Sequence, residues 1–230
     1  MKREEEFRSL IEEAMAGLPV EQHDPADGLP LQVVPFGAPE VLAVLDVLLS
    51  TWVTMGKEVA TFEKEWATFC GAEHGVMVNS GSSANLVALA GLVQQGVLEP
   101  GDEVLVPAVS WSTSLFPVAQ LGLRPVLVDI DPDTLCLSVA SCEAAMGPRT
   151  RGVVSVHLLG QAAPVRELEA LGLVVMEDAC AAPGAEIDGS RVGGQGRAGT
   201  FSFFFSHHIT TGEGGMIVTS DSELADLARS

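Results

Sequence analysis

The chain is short of lysine, of positive charge and of long apolar runs, and each shortage excludes something. Only three of its 230 residues are lysines, Lys2, Lys57 and Lys64. Chemistry that needs a lysine amine in the later two thirds of the chain is therefore excluded. Acidic residues outnumber basic ones 31 to 12, a formal charge of -19. So acidic a chain repels nucleic acid and anionic membrane surfaces, and neither is expected as a partner. A local pocket for a small phosphorylated ligand stays open. No apolar run reaches the roughly 18 residues of a membrane span. The N-terminus, MKREEEFRSLIEEAM, is charged and amphipathic and lacks the apolar centre of a signal peptide. The four cysteines, Cys70, Cys136, Cys142 and Cys180, show no CxxC spacing. Neither a zinc site nor a disulfide framework is indicated, and small buried thiols in a reducing, cytoplasmic setting are expected.

What is present is core-forming. Hydrophobic residues make up 47% of the chain, enough for a sizeable interior. Residues 1–18 read as a surface helix. Residues 19–38, rich in Pro, Asp and Gly, read as an irregular arm, and 39–220 as one regular domain. PEVLAVLDVLLSTW and EVATFEKEWATFCG carry apolar residues at helical spacing. Then come seven short apolar runs: GVMVNS, DEVLVPA, RPVLVDI, GVVSVHLL, LVVMEDA, GTFSFFF and GGMIVTS. Most are not alternating, so both faces should be buried, as in a parallel sheet covered by helices. Helical segments separate several of them: SANLVALAGLVQQGV, STSLFPVAQLG, VASCEAAMG and APVRELEALG. The alternation predicts an α/β fold with an open, mostly parallel sheet of about seven strands and right-handed crossovers. The last residues, DSELADLARS, read as the start of a further helix over 221–230, as though the sequence were a piece of a longer protein lacking a smaller C-terminal domain.

In such sheets ligands collect at the carboxyl ends of the strands, and here those ends are polar. After VMV comes Asn79-Ser80-Gly81-Ser82-Ser83, a small turn opening a helix. Its amides and hydroxyls suit an anion, with helix capping as the alternative. Trp111 follows VLVPA and precedes a helix. It could lie flat over a planar ring or belong to the core. Glu177 and Asp178 close LVVMED, and an acid there is costly unless it has a partner. That partner is either the backbone or a protonated ring nitrogen. Ser202 sits in GTFSFFF and needs a hydrogen bond there. A phosphate cradle, a flat aromatic and a buried acid, in this order on one sheet, suit pyridoxal phosphate, whose protonated ring takes up electrons.

From about Gly56 onward, SGSSANL, PAVSWSTSLFPVAQLGLRPVLVDIDPDTL, EDAC and GTFSFFFSHHITTGEGG resemble the DegT/DnrJ/EryC1/StrS-type sugar aminotransferase and dehydratase family. The resemblance implies the aspartate-aminotransferase-like (fold type I) large domain and a homodimer with sites at the subunit boundary. It also implies roles for residues. Gly81, Ser82 and Ser83 match the phosphate-cradling turn, Trp111 the residue stacked on the cofactor ring, and Asp178 the partner of the pyridine nitrogen. Ser202 matches a serine that also holds the phosphate, five positions before the catalytic residue. Most members carry lysine at that catalytic position, joined to the cofactor as a Schiff base. Here the position is His207, so covalent attachment there is impossible. The lysine-to-histidine change is characteristic of the 3-dehydratases of nucleotide-linked 4-keto-6-deoxy sugars. The surroundings of Trp111 look most like the GDP-4-keto-6-deoxymannose enzymes, with the CDP- and dTDP-sugar enzymes near alternatives. The iron–sulfur ligands of some members are not matched by the four cysteines.

The resemblance then implies pyridoxamine phosphate held without a covalent bond, a nucleotide-sugar substrate and an amino donor such as glutamate. An imidazole of ordinary pKa, about 6.5, can act as both base and acid at neutral pH, which suits elimination of the sugar C3 hydroxyl. His208, adjacent in the chain, is expected to point elsewhere, as a structural residue or a substrate contact. Two other readings stand beside this one. One is a family aminotransferase that uses His207 differently. The other is a non-catalytic chain that binds cofactor or nucleotide sugar without turnover.

Overall fold

A computed structural model describes residues 2–17, 28 and 36–230. The arm expected over 19–38 therefore falls almost wholly outside the described residues. The chain divides into two compact units, Met1–Ala60 and Thr61–Ser230. In the first, α1 (Lys2–Ala16) lies against α2 (Ala38–Leu49), and Arg8 pairs with Asp46. Pro39 in the first turn of α2 and the Glu40 carboxylate, which accepts the Gly37 amide at 2.7 Å, start that helix.

In the second unit the seven apolar runs each supply one strand of a single sheet. They are β1 (His74–Val78), β2 (Glu103–Pro107), β3 (Arg124–Val128), β4 (Thr150–Val156) and β5 (Val174–Asp178), then β8 (Ala198–Ser202) and β9 (Gly215–Thr219). Between β5 and β8 a small hairpin joins β6 (Glu186–Ile187) to β7 (Ser190–Arg191). The sheet order is β1-β9-β8-β5-β4-β2-β3, with β9 antiparallel to both neighbours and every other pair parallel. Because β9 alone reverses, the carboxyl ends of β1, β2, β4, β5 and β8 share one edge.

Side chains alternate across each strand, and the core divides accordingly. Val104, Val106, Val154, Val156, Met176 and Ile217 pack on one face beneath α4 (Gly81–Gln94), α5 (Ser112–Gln120) and α8 (Ser222–Arg229). Leu105, Val153 and Val175 pack on the other with Cys142 of α6 (Val139–Ala145) and Leu168 of α7 (Val165–Ala170). On that second face, Trp66 of α3 (Lys57–Cys70) meets Phe201 and Phe203 edge-on, with ring centroids 5.2 and 5.0 Å apart.

The structure modifies the sequence reading in three places. Burial on both faces holds for the central strands but fails at β3, an edge strand on which Leu127 is 60% exposed. The hairpin β6–β7 escaped notice because two-residue strands carry no periodicity. Its Asp188-Gly189 turn, with φ of 52° and 72°, was the available signal. The run GTFSFFF stops being strand at Ser202, and Phe204 and Phe205 are exposed. There the His207 amide donates to the Phe204 carbonyl at 3.0 Å and the chain turns out of the sheet.

Candidate active site

At the shared carboxyl edge of β1, β2, β4, β5 and β8 lies a cleft of about 390 Å³. Gly81 and Ser82 enter it from the turn after β1, and Val109, Ser110 and Trp111 from the turn after β2. Val156 ends β4, Asp178 and Cys180 end β5, and Ser202 and His207 follow β8. Six of the seven residues expected at the site thus line one cavity, although they span 127 positions of sequence, from 81 to 207.

The turn after β1 leads directly into the start of α4 at the cleft. Ser80 caps α4, its hydroxyl accepting the Ser83 amide at 3.1 Å. The amides of Gly81 and Ser82, in the first turn, have no intrahelical acceptor, and the positive end of the helix dipole is at the same point. A Cβ on Gly81 would stand 2.6 Å from Ser202 Cβ and 2.8 Å from Cys180 Sγ, so only glycine fits between β1, β5 and β8 here. Ser83 is the seventh expected residue, and it does not line the cleft. Its amide and hydroxyl are both engaged by Ser80, the latter at 3.1 Å. The capping alternative is realised through Ser80 and Ser83, while Gly81 and Ser82 line the cleft. Ser202 Oγ accepts the Phe204 amide only weakly, at 3.4 Å, and its own proton has no acceptor among the described residues.

Trp111 is not a core residue. It stands at the N-cap of α5, 74% exposed, on the wall of the cleft. A large apolar ring so exposed is a surface waiting for a flat partner.

Asp178 is 5% exposed and its carboxylate is held on three sides. Oδ2 accepts Asn85 Nδ2 at 2.8 Å and Ser114 Oγ at 2.7 Å; Oδ1 accepts the Cys180 amide at 3.2 Å. Three donors from different segments of the chain thus fix the carboxylate in place. Among the cysteines, Cys70, Cys136 and Cys142 are the buried thiols expected, whereas Cys180 lines the cleft. Burial, and then the charge of Asp178, push its thiol well above the ordinary range, so it remains protonated and unreactive.

His207 is half-buried on the cleft wall, while His208 is exposed and does not line it. Burial lowers the His207 pKa below its ordinary value, and the neighbouring His208 lowers it further; Asp178 acts in the opposite direction. Net lowering keeps the imidazole neutral at neutral pH, with a nitrogen lone pair free to accept a proton. No lysine lines the cleft.

Sequence reasoning named Glu177 at the strand end but left its partner open, and it missed His157. Glu177 faces the other side of β5 and is fully buried, with Oε2 accepting His157 Nε2 at 2.9 Å and the Gly193 amide at 2.6 Å. Its Oε1 accepts the amides of Gln195 at 2.7 Å and Gly196 at 2.6 Å. His157 Nδ1 accepts the Ala163 amide at 2.9 Å. That nitrogen carries no proton, so the ring is neutral and Nε2–H points at the acid. The visible hint was the glycine-rich stretch 192–196, which wraps the carboxylate.

These features define an α/β protein with a cofactor-sized cleft at the strand ends, equipped for an anion, a flat ring and a cation beside Asp178. The chain belongs to the DegT/DnrJ/EryC1/StrS aminotransferase family, whose model matches residues 36–230. It is 41% identical over 191 residues to a GDP-4-keto-6-deoxy-D-mannose 3-dehydratase of Yersinia pseudotuberculosis, covering 80% of this chain and 49% of the relative. A crystal structure of GDP-4-keto-6-deoxymannose 3-dehydratase with PLP and glutamate trapped together superposes with TM-score 0.84 at 39% identity, covering 87% of this chain and 54% of that one. An aminotransferase from Psychrobacter cryohalolentis superposes almost as well, with TM-score 0.81 at 34% identity, covering 86% of this chain and 51% of that one. The mostly parallel seven-stranded α/β architecture is therefore that of the family. The chain spans about half the length of the curated relatives it matches.

Proposed function

We propose that this chain is the cofactor-binding part of a 3-dehydratase that removes the C3 hydroxyl of a nucleotide-linked 4-keto-6-deoxyhexose. Overall likeness does not choose between dehydratase and aminotransferase, since solved structures of both kinds match at similar TM-score. The observation that carries the choice is the side chain on the cleft wall. His207, which the resemblance matches to the position of the family's catalytic lysine, lines the cleft, and no lysine does.

The cleft fits pyridoxal or pyridoxamine phosphate by its own chemistry. The Gly81 and Ser82 amides and the Ser202 hydroxyl would hold the phosphate, with Ser83 fixing the turn through Ser80. Trp111 would cover one face of the ring, and Asp178 would pair with the ring nitrogen. Bound there as the amine, the cofactor would supply a nitrogen that condenses with the 4-keto group and a ring that takes up electrons. The protein's part is proton handling. His207, neutral at rest, would take up one proton at its free ring nitrogen and, as imidazolium, would deliver one to the departing C3 oxygen. One group would serve both steps because the proton it takes up in the first is the one it gives back in the second. Asp178, fixed by three donors, would pair with a protonated ring nitrogen.

The GDP-linked sugar is favoured as substrate, because the dehydratases at about 40% identity carry that name. Glutamate is the proposed amino donor, as in the PLP- and glutamate-bound dehydratase structure. We assign the protein to the cytoplasm and to a homodimer whose second copy covers the exposed Trp111, Phe204 and Phe205. None of its described helices is long and apolar enough to cross a membrane. The deciding experiment adds pyridoxamine phosphate and GDP-4-keto-6-deoxymannose to wild type and to His207→Asn. Loss of C3 deoxygenation with retained cofactor binding is expected. Unchanged turnover would overturn the reading.

A further inference from the structure

Asp178 is surrounded by two side chains that no role above requires. Asn85 is 1% exposed and Ser114 fully buried, near the starts of α4 and α5. The Asn85 amide has acceptors on one side only: Asp178 Oδ2 at 2.8 Å and the Thr113 carbonyl at 3.2 Å. Its NH2 must face them, and its oxygen then accepts the Thr200 hydroxyl at 2.5 Å. The flipped amide would set oxygen against a carboxylate and is excluded. Ser114 Oγ donates to the same Oδ2 at 2.7 Å. Oδ2 is thereby saturated with two donors, while Oδ1 holds one longer bond, from the Cys180 amide. An anion with one oxygen saturated and the other partly free, on the wall of a cleft, is a directed acceptor.

We propose that Asn85 and Ser114 are positioning residues that hold Asp178 ionised in a single orientation, with Oδ1 offered to a protonated heterocyclic nitrogen. The inference rests on the cofactor reading above and deepens it. A carboxylate opposite a pyridinium shares one proton with it. The ion pair is favoured over the neutral acid–pyridine pair only while other donors stabilise the anion. Removing a donor from Oδ2 moves the proton from the ring nitrogen to the acid. The chain Thr200–Asn85–Asp178–Ser114 runs through β8, α4, β5 and α5, so the orientation is set by four elements at once.

The test uses pyridoxamine phosphate labelled with 15N in the ring, bound to the protein near neutral pH, with the nitrogen resonance read directly. Wild type should give the protonated-ring position and Asp178→Asn the neutral one. Ser114→Ala and Asn85→Leu should bind the cofactor through the turn at Gly81 yet move the resonance toward the neutral ring. A wild-type ring that is not protonated overturns the cofactor reading itself. A protonated wild-type ring whose resonance stays put in both variants, even if they melt earlier, shows that the two residues only tie helices to the sheet and overturns this inference alone. Ser114→Ala deletes a single hydroxyl and carries the test if Asn85→Leu does not fold.

Discussion

Glu177 and Asp178 are neighbouring carboxylates at the end of one strand, almost equally buried, yet they are solved in opposite ways. Glu177 turns to the face under α7, where three backbone amides and His157 consume its lone pairs. Burial pushes its carboxyl up, but the bond from His157 and the amides of Gly196 and Gly193 outweigh that and hold it below the ordinary range. Asp178 turns to the face under α4 and α5, where side chains saturate only one oxygen. A carboxylate fully satisfied by the fold is a structural anchor. One left with capacity toward a cleft is a site. Burial alone does not tell them apart; the count of donors does.

The sharpest break in that comparison should come on the site side. His207→Asn should lower dehydration by roughly two to four orders of magnitude, the usual cost of a lost general base, with little change in melting temperature. His208→Asn should cost far less, because that ring is exposed and outside the cleft. If the effects are reversed, the assignment to position 207 is off by one. His207→Lys should instead place an amine for covalent attachment of the aldehyde cofactor, read as a new visible absorbance band.

On the anchor side, Glu177→Ala leaves four buried donors without an acceptor. We expect a loss of about 3–5 kcal/mol in denaturant unfolding, the scale for breaking a buried charged network, with the cofactor's spectrum unchanged in whatever remains folded. Because the Glu177 pKa is depressed in the fold, its stabilisation is present above the unfolded carboxyl pKa of about 4.3 and is lost as pH falls through the lower folded value. A stability profile flat through that acid range would contradict the anchor role.

A subtler pair of changes should move the His207 titration in opposite directions, followed by imidazole NMR. Asp178 raises the His207 pKa and His208 lowers it. Asp178→Asn should therefore shift the titration to lower pH, and His208→Asn to higher pH. Shifts of the same sign in both variants would show that His207 does not feel Asp178 across the cleft. The smallest effect expected is from Ser83→Ala. It removes a hydroxyl bonded to Ser80 but leaves the amide cap intact, and should cost well under the roughly 1 kcal/mol of a full N-cap deletion, with phosphate affinity preserved.

Period and composition in the sequence determined a great deal. Seven short apolar runs, most rich in Val or Ile and several separated by helical segments, point to a mostly parallel sheet between helices, so the α/β class and each strand and helix of that sheet were legible. So was the site as a set. Strand-end polar residues collect at one edge of such a sheet, and the scarcity of lysine is a matter of counting. What the sequence could not show was which alternative each residue takes. Only the tertiary structure decided that Ser83 closes the cap while Gly81 and Ser82 face the cleft. It alone turned Trp111 outward, and it ended β8 at Ser202 so that His207 swings onto the cleft wall. The division of labour between Glu177 and Asp178 was likewise invisible, because a strand's alternation says that two adjacent acids face opposite ways but not what awaits them. The amides of Gly193–Gly196 lie 16 to 19 positions from Glu177, and Asn85 lies 93 from Asp178. Contacts between residues so far apart exist only once the sheet has brought them together.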